Sequence, residues 1–355
     1  MKKDYNQRNN IIRWGMYICL FLVTMISIFI SSIDFEILRN KNIIKDWHLR
    51  IILFLLALII ILHLNRYFIK YMAQHLNSLY LTRFDFKPEL QTYAESRWRF
   101  FSNLKKHDHV VLLLHGFTGA TQEFQFLIPH LEKHGIPYLA PNIIGFGSSN
   151  TLILNTVNRK DWYNLCLAYF DYLTMVADKV SIIGHSMGGV LATYIAERRK
   201  VHHLILSGPG IYCAKSDIRY RKMLMNRFMS LLYIRLIPYM PKPIRPGRIT
   251  CSDTLDENYA KNIFQYLVIP VRSLRELFLA QEEVNPYQVK CNYLSILYGK
   301  HDLTVDVERL FSILDEHNIK YQKYCFENSA HNVLEDFERE ESCALITQIL
   351  LEVSN

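Results

Sequence analysis

The sequence has no C-x-x-C pair, no internal repeat and no low-complexity tract. Its seven cysteines (Cys19, Cys166, Cys213, Cys251, Cys291, Cys325 and Cys343) are odd in number and irregularly spaced. That usage agrees with a reducing compartment, and it offers neither a disulfide framework nor a metal-ligand pattern. No small-residue cleavage site follows the first apolar run, which argues against a removable signal peptide. Residues 65–107 are rich in aromatics and charges but not in Gly or Ser, which excludes a flexible linker. No nucleic-acid motif accompanies the formal net charge of +8, so nucleic acid is not an expected partner.

Long apolar runs, by contrast, are present. Trp14 to Ile33 is 20 residues without a charge, enough for a helix to cross about 30 Å of hydrocarbon. A second run, Ile51 to Leu64, is 14 residues, with Trp47 and Tyr67 as flanking interface anchors and Arg50 and Arg66 placed to snorkel. The expectation is one or two transmembrane helices, 14–33 and about 47–68, within a membrane anchor spanning 1–75, followed by a connecting segment 76–107. Lys2, Lys3, Arg8 and Arg13 precede the first run, and Arg66, Lys70 and Arg83 follow the second. Together they outnumber Arg39, Lys41, Lys45 and Arg50 between the runs. By the positive-inside rule both ends face the cytoplasm. An integral protein of a bacterial inner membrane is expected, with its main domain on the cytoplasmic side.

From residue 108 onward strands and helices alternate. Val110–Leu114, Tyr138–Ala140, Lys179–Ile183 and His203–Ser207 read as strands, separated by helices near Thr121–His134, Lys160–Ala177 and Val190–Lys200. Such alternation implies a mostly parallel sheet with helices on both faces. Residues 211–290 interrupt it and are much longer than a crossover requires.

Within this pattern Gly184-His185-Ser186-Met187-Gly188 gives G-x-S-x-G between a strand and a helix. A sharp strand-to-helix turn there forms a nucleophile elbow: it strains the serine backbone and leaves its hydroxyl exposed above the sheet. A nucleophilic serine needs a base, and the base needs a carboxylate. Asp302 follows the apolar strand Tyr293–Tyr298, with Asp306 four residues on as a competing acid. His331 follows the strand Tyr321–Phe326 and precedes a closing helix, Val333–Val353. The order Ser, Asp, His is the order this architecture uses. After Val110–Leu114 comes His115-Gly116-Phe117-Thr118-Gly119. The Phe117 and Met187 amides are candidates for an oxyanion hole, and His115 reads as a structural residue beneath the loop.

These anchors resemble the α/β-hydrolase superfamily, over about 108–353, and the stretches Leu112–Gly119 and Ile269–Leu277 are similar to its monoacylglycerol-lipase and bacterial carboxylesterase branch. Relatives carry Asp where this chain has Asn142, and Pro where it has Cys291-Asn292. The resemblance implies a catalytic domain over 108–355 with a helical cap at 211–290. It implies a serine hydrolase that needs no cofactor and no metal and acts on carboxylic esters, with the apolar cap favouring acyl lipids such as a monoacylglycerol or lysophospholipid. Its alternatives are an aminopeptidase, amidase or acyltransferase of the same fold, or a non-catalytic membrane adaptor. A carboxylate cluster holding a substrate ammonium would favour the peptidase, and Asp253, Asp256, Glu257, Glu276, Glu282 and Glu283 are the candidates. The cap segment Ile211–Thr250 has nine Lys or Arg against the single acid Asp217, interleaved with Met, Leu and Ile. It reads as a basic, apolar helix suited to an anionic bilayer surface.

Overall fold

A computed structural model describes residues 46–81, 107–148 and 151–354. The run 14–33 and most of the connecting segment lie outside the described residues. Helix α1, Asp46–Leu81, is continuous over 36 residues. Its first half is apolar all round and leaves Ile51, Leu55, Leu56, Ile59 and Ile60 exposed, which calls for a bilayer or a protein surface around it. Among the described residues it is the one helix long and apolar enough to cross a membrane, by length and composition. The helix runs past the expected end near 68 because its second half has a protein partner. Ile69, Ala73 and Leu76 pack against Tyr239 and Val268.

The main sheet has six parallel strands. Its first half comprises β1 (His107–Leu114), α2 (Leu127–Lys133), β2 (Tyr138–Leu139), α3 (Arg159–Val176), β3 (Ala177–His185), α4 (Met187–Arg198) and β4 (Val201–Ser207). The cap then contributes α5 (Ile218–Met225), α6 (Arg227–Leu236), β5 (Tyr239–Pro241), β6 (Val268–Pro270) and α7 (Val271–Glu283). The sheet resumes with β7 (Cys291–Gly299), α8 (Val307–Glu316), β8 (Gln322–Phe326) and α9 (Arg339–Ser354). The strand order is β2-β1-β3-β4-β7-β8. Both faces are covered, which is why the strands read as unbroken apolar runs. Leu112, Leu114, Ile182, Leu204 and Ile296 point into one core with Trp162 and Leu191. The alternate residues Val111, Leu113, Ile183, Ile205 and Leu297 point into the other, with Leu127 and Ile346.

Three local expectations are corrected. Thr121–His134 is a 3-10 turn, Thr121–Phe124, followed by α2. The closing helix is also broken: a turn at Val333–Glu335 precedes α9. The break falls at Asp336, whose backbone is extended (φ −106°, ψ −165°) and whose carboxylate accepts the Leu255, Asp256 and Ala330 amides at 2.8–3.0 Å. The basic cap segment is two short helices, α5 and α6, parted by Asn226, whose side chain caps α6 through the Met229 amide.

In the cap, β5 pairs antiparallel with β6, and α1 docks on this pair. The Asn77 side chain bonds Val268 O, Leu267 N and Val268 N, and the Tyr80 hydroxyl donates to Ile263 O at 2.7 Å. The apolar helix and the cap are therefore a single packed unit.

Candidate active site

Ser186 stands between β3 and α4 with φ +52° and ψ −114°, a conformation that L-residues adopt only under constraint. The constraint comes from close packing around the turn. A Cβ on Gly188 would lie 1.8 Å from Leu114 O, and one on Gly184 would lie 2.4 Å from Gly188 O. Only glycine permits those approaches.

The structure brings Ser186, His331 and Asp302 together. His331 Nε2 is 2.9 Å from Ser186 Oγ, and His331 Nδ1 is 2.8 Å from Asp302 Oδ2. With a carboxylate at Nδ1, that nitrogen carries the proton and Nε2 is free to accept from the serine hydroxyl. Asp302 Oδ1 accepts the Thr304 and Val305 amides at 2.7 and 3.0 Å. Burial pushes the Asp302 carboxyl up, but the charge and hydrogen bond of His331 and the two amides outweigh it, so its pKa lies below the usual carboxylate range. Asp306 has a different task. Its carboxylate accepts the Arg309 amide at 3.1 Å as the N-cap of α8.

The loop after β1 lies against the serine, since a Cβ on Gly116 would be 3.1 Å from Ser186 Cβ. The Phe117 amide has no acceptor among the described residues. Met187 is the first residue of α4, where an N–H has no intrahelical partner. Thr118 is fully buried at φ +71°. It is pinned by two cap residues: the Tyr266 amide donates to its carbonyl at 3.1 Å, and Lys242 Nζ donates to its hydroxyl at 3.0 Å. His115 lies beneath this loop. Its Nε2 accepts the Ile143 amide and its Nδ1 bonds Gly116 O, both at 2.9 Å, and burial pushes its pKa down to about 4. His185 is likewise buried, bonding Ser207 O at 3.1 Å. Burial, then the neighbouring His331 charge, lower its pKa to about 3. Asn142, the departure from the family pattern, accepts the Thr121 amide and hydroxyl at 2.9 and 2.8 Å.

Three contributors are not signalled by any motif. Glu123 Oε2 accepts the Gly116 amide at 2.6 Å under the loop. Burial, then the nearby Glu335 charge, push its carboxyl up to about 8. Asp253 comes from the cap and braces the acid loop, accepting the Leu303 amide at 2.9 Å and the Thr304 hydroxyl at 2.8 Å. Lys242 reaches the oxyanion loop from the end of β5. A motif marks residues close in sequence, whereas these three meet the site only through the fold.

Above Ser186 is a cavity of about 180 Å³. One wall is apolar: Met240, Ile269, Leu274, Leu277 and Phe278. The expected carboxylate cluster does not converge on it. Asp256 pairs with Arg339, Glu276 and Glu283 with Arg159, and Glu282 with Arg221. Glu257 is exposed on the surface. Asp253 alone of that set lines the cavity, and Arg248 holds it at 2.7 Å.

Residues 105–339 match the family model described as serine aminopeptidase, S33. A serine hydrolase-like protein of Dictyostelium discoideum is 34% identical over 100 residues, 26% of this chain and 25% of that protein. A carboxylesterase of Bacillus subtilis is 26% identical over 121 residues, 34% of this chain and 49% of its own length. The chain thus spans between a quarter and a half of these curated relatives. Among solved structures, one of the metagenome-derived lipolytic enzymes LipS and LipT aligns with a TM-score of 0.57 at 20% identity, over 70% of this chain and 95% of its own. A soluble variant of the monoglyceride lipase of Saccharomyces cerevisiae aligns with a TM-score of 0.57 at 16% identity, over 73% and 91%. These likenesses establish the α/β-hydrolase fold.

Proposed function

The chain belongs to the S33 serine aminopeptidase family of α/β-hydrolases, and from that premise we propose that it is a membrane-anchored serine hydrolase that cleaves single-chain acyl esters. The observation that carries the reading is the hydrogen-bonded line Ser186 Oγ, His331 Nε2, His331 Nδ1, Asp302 Oδ2, with steps of 2.9 and 2.8 Å.

In this reading Ser186 Oγ attacks the ester carbonyl carbon while His331 Nε2 takes its proton. Asp302 keeps the imidazole oriented and stabilises its charged form. The Phe117 and Met187 amides receive the negative charge that develops on the carbonyl oxygen. The tetrahedral adduct collapses with loss of the alcohol, which takes the proton from His331. Water, deprotonated by His331, then attacks the acyl-serine and releases the carboxylic acid. No step calls on a cofactor.

Ester chemistry is favoured over aminopeptidase chemistry by the charges around the cavity. An aminopeptidase must hold a substrate ammonium. Here Asp217 and Asp253 are taken by Arg245 and Arg248, Glu123 is driven towards its protonated form, and Lys242 lines the same cavity. The apolar wall suits an acyl chain, and the exposed apolar half of α1 supports attachment to a bilayer, with residues 108–355 as the catalytic domain and 211–290 as its cap.

The test is labelling of the detergent-solubilised protein with a fluorophosphonate, followed by assay of a monoacylglycerol and of an aminoacyl amide of similar size. Labelling at Ser186, loss of label in Ser186→Ala, and release of fatty acid are expected. Faster cleavage of the amide would overturn the ester reading.

A further inference from the structure

The charged groups that line the cavity fall into two classes. Arg245 is bound through two bonds by Asp217 at 2.9 and 2.6 Å, and Asp253 is bound by Arg248 at 2.7 Å. His331 is bound by Asp302. Lys242 is different. Its ammonium donates to Thr118 Oγ1 at 3.0 Å and to Gln265 Oε1 at 3.1 Å, both neutral oxygens. Among the described residues no carboxylate pairs with it. An ammonium has three donors, so one N–H is left without an acceptor among these residues.

The backbone fixes where this cation stands. Lys242 lies between Pro241 and Pro243, and its amide donates to Leu267 O at 2.8 Å, extending the pairing of β5 with β6. The side chain therefore leaves a rigid edge of the cap and ends at the oxyanion loop. Burial lowers the Lys242 pKa from its ordinary range, because a cation withdrawn from water is costly unless an anion compensates it. Cys251, Glu123 and Asp253 act on it without pairing with it, and Glu123 is itself driven towards the neutral form and spends one oxygen on the Gly116 amide. The cavity that holds the nucleophile is thus lined by one lysine whose hydrogen-bond partners are neutral oxygens and with which no carboxylate among the described residues pairs.

We propose that Lys242 recognises an anionic oxygen on the substrate, so that the preferred substrates are single-chain acyl esters whose alcohol part carries a phosphate or carboxylate. The acyl chain occupies the apolar wall of Ile269, Leu274, Leu277 and Phe278, which leaves the anion on the alcohol side. Its oxygen takes the third N–H of the ammonium and supplies the missing counter-ion. This rests on the reading of Ser186 as the nucleophile.

The experiment compares kcat/KM of the full chain in detergent for three esters with one acyl chain: a 1-acylglycerol, the same ester bearing a 3-phosphate, and the same ester bearing a hemisuccinate. Wild type is expected to favour the anionic esters at least tenfold, and the ratio between them tells phosphate from carboxylate. Lys242→Met removes a bond to Thr118 as well as the charge, so all three rates fall; the expected signature is a further loss of at least tenfold for the anionic esters alone. Lys242→Arg keeps a cation and restores most of the preference. Equal losses for neutral and anionic esters, or no preference in wild type, would overturn the proposal and leave Lys242 as a positioning residue. Fluorophosphonate labelling of Ser186 in each protein separates the two failures. Labelled enzyme without a preference sinks only the anion site, whereas a wild type that neither labels nor turns over any ester sinks the hydrolase reading and this proposal with it.

Discussion

The Asn77 carboxamide near the end of α1 grips the cap backbone at Val268 from both directions. It donates to Val268 O at 2.7 Å and accepts Val268 N at 3.0 Å, and it also accepts Leu267 N at 2.8 Å. Leu267 in turn accepts the Lys242 amide, and its neighbour Tyr266 donates to the Thr118 carbonyl. A side chain on the apolar helix is thus three residues of contact away from the oxyanion loop. Asn77→Leu would strand two buried backbone groups of Val268 and the half-buried Leu267 amide, at a cost of about 1–3 kcal/mol for each buried one left unpaired. A lower melting temperature is expected, together with a fall in kcat on a small soluble ester as Thr118 loosens. A variant that melted early but kept its kcat would show that the helix only stabilises the cap.

The two acids after β7 have separable roles. Asp302→Asn should lower kcat on the order of 10⁴-fold, since the imidazole loses its orienting charge. Asp306→Ala should leave kcat near wild type and cost about 1 kcal/mol of stability through the lost cap of α8. Steady-state rates and urea melts of both variants check this pair. An inactive Asp306→Ala with an active Asp302→Asn would exchange the assignments.

Why the serine elbow, its histidine and the parallel sheet were legible, and the internal structure of the cap was not, has a physical explanation. G-x-S-x-G is forced by sterics within five neighbouring residues, as the 1.8 Å clash at Gly188 illustrates. The strands announce themselves because both faces of the sheet are buried. The pair β5 and β6 has three residues per strand and ends on Pro241 and Pro270, so it carries no periodic signal. The docking of α1 was hidden for another reason. Ile69, Ala73 and Leu76 follow a long apolar run that reads as bilayer-facing, and nothing local distinguishes the residues that face protein. The charge of the basic segment was also misleading as a sum. Lys242, Arg245 and Arg248 point inward to Thr118, Asp217 and Asp253, and Arg221 to Glu282.

Stability should peak near pH 6.5 and decline on both sides. Burial first of all pushes His109, His115 and His203 down to about 4 and His185 to about 3, from an ordinary 6.5. The folded protein keeps these rings neutral while the unfolded chain protonates them, so stability falls as pH drops from about 6.5 towards 4. Glu123 and Glu335 act in the opposite sense. Burial raises them to about 8 and about 7 from an ordinary 4.5. The folded protein holds their protons after the unfolded chain has released them, so their contribution is lost as pH rises from about 4.5 through 8. Between 4.5 and 6.5 four histidines outweigh two glutamates; above 6.5 the histidines no longer contribute and the two glutamates set the decline, opposed by the lowered pKa of Lys242. Melting curves from pH 4 to 9 should follow this dome, and Glu123→Gln should flatten its alkaline side. An alkaline decline unchanged in that variant would place its origin elsewhere.

The basic residues that remain exposed lie on α6, which packs beside the apolar helix, and on the adjoining α5 and the turn before it. Lys215, Arg219, Lys222, Arg227 and Arg235 point to solvent, and α6 exposes Phe228, Leu231 and Leu232 while packing beside α1. If α1 crosses a bilayer, this edge of the cap faces the headgroups, with its apolar side chains at the acyl boundary. Each nearby Lys or Arg then contributes roughly 1 kcal/mol of attraction to an anionic surface, and salt screens it over about 10 Å at 0.1 M. Arg219, Lys222 and Arg227 are the residues to change, since Arg221 is already committed to Glu282. In nanodiscs, replacing these three by Gln should slow hydrolysis of a long-chain ester embedded in anionic lipid at low salt. The same variant should match wild type in zwitterionic lipid, at high salt, or on a short soluble ester. Equal rates for wild type and variant in every lipid and salt would mean that the five exposed cations are a solvated face and that α1 alone brings the enzyme to the membrane.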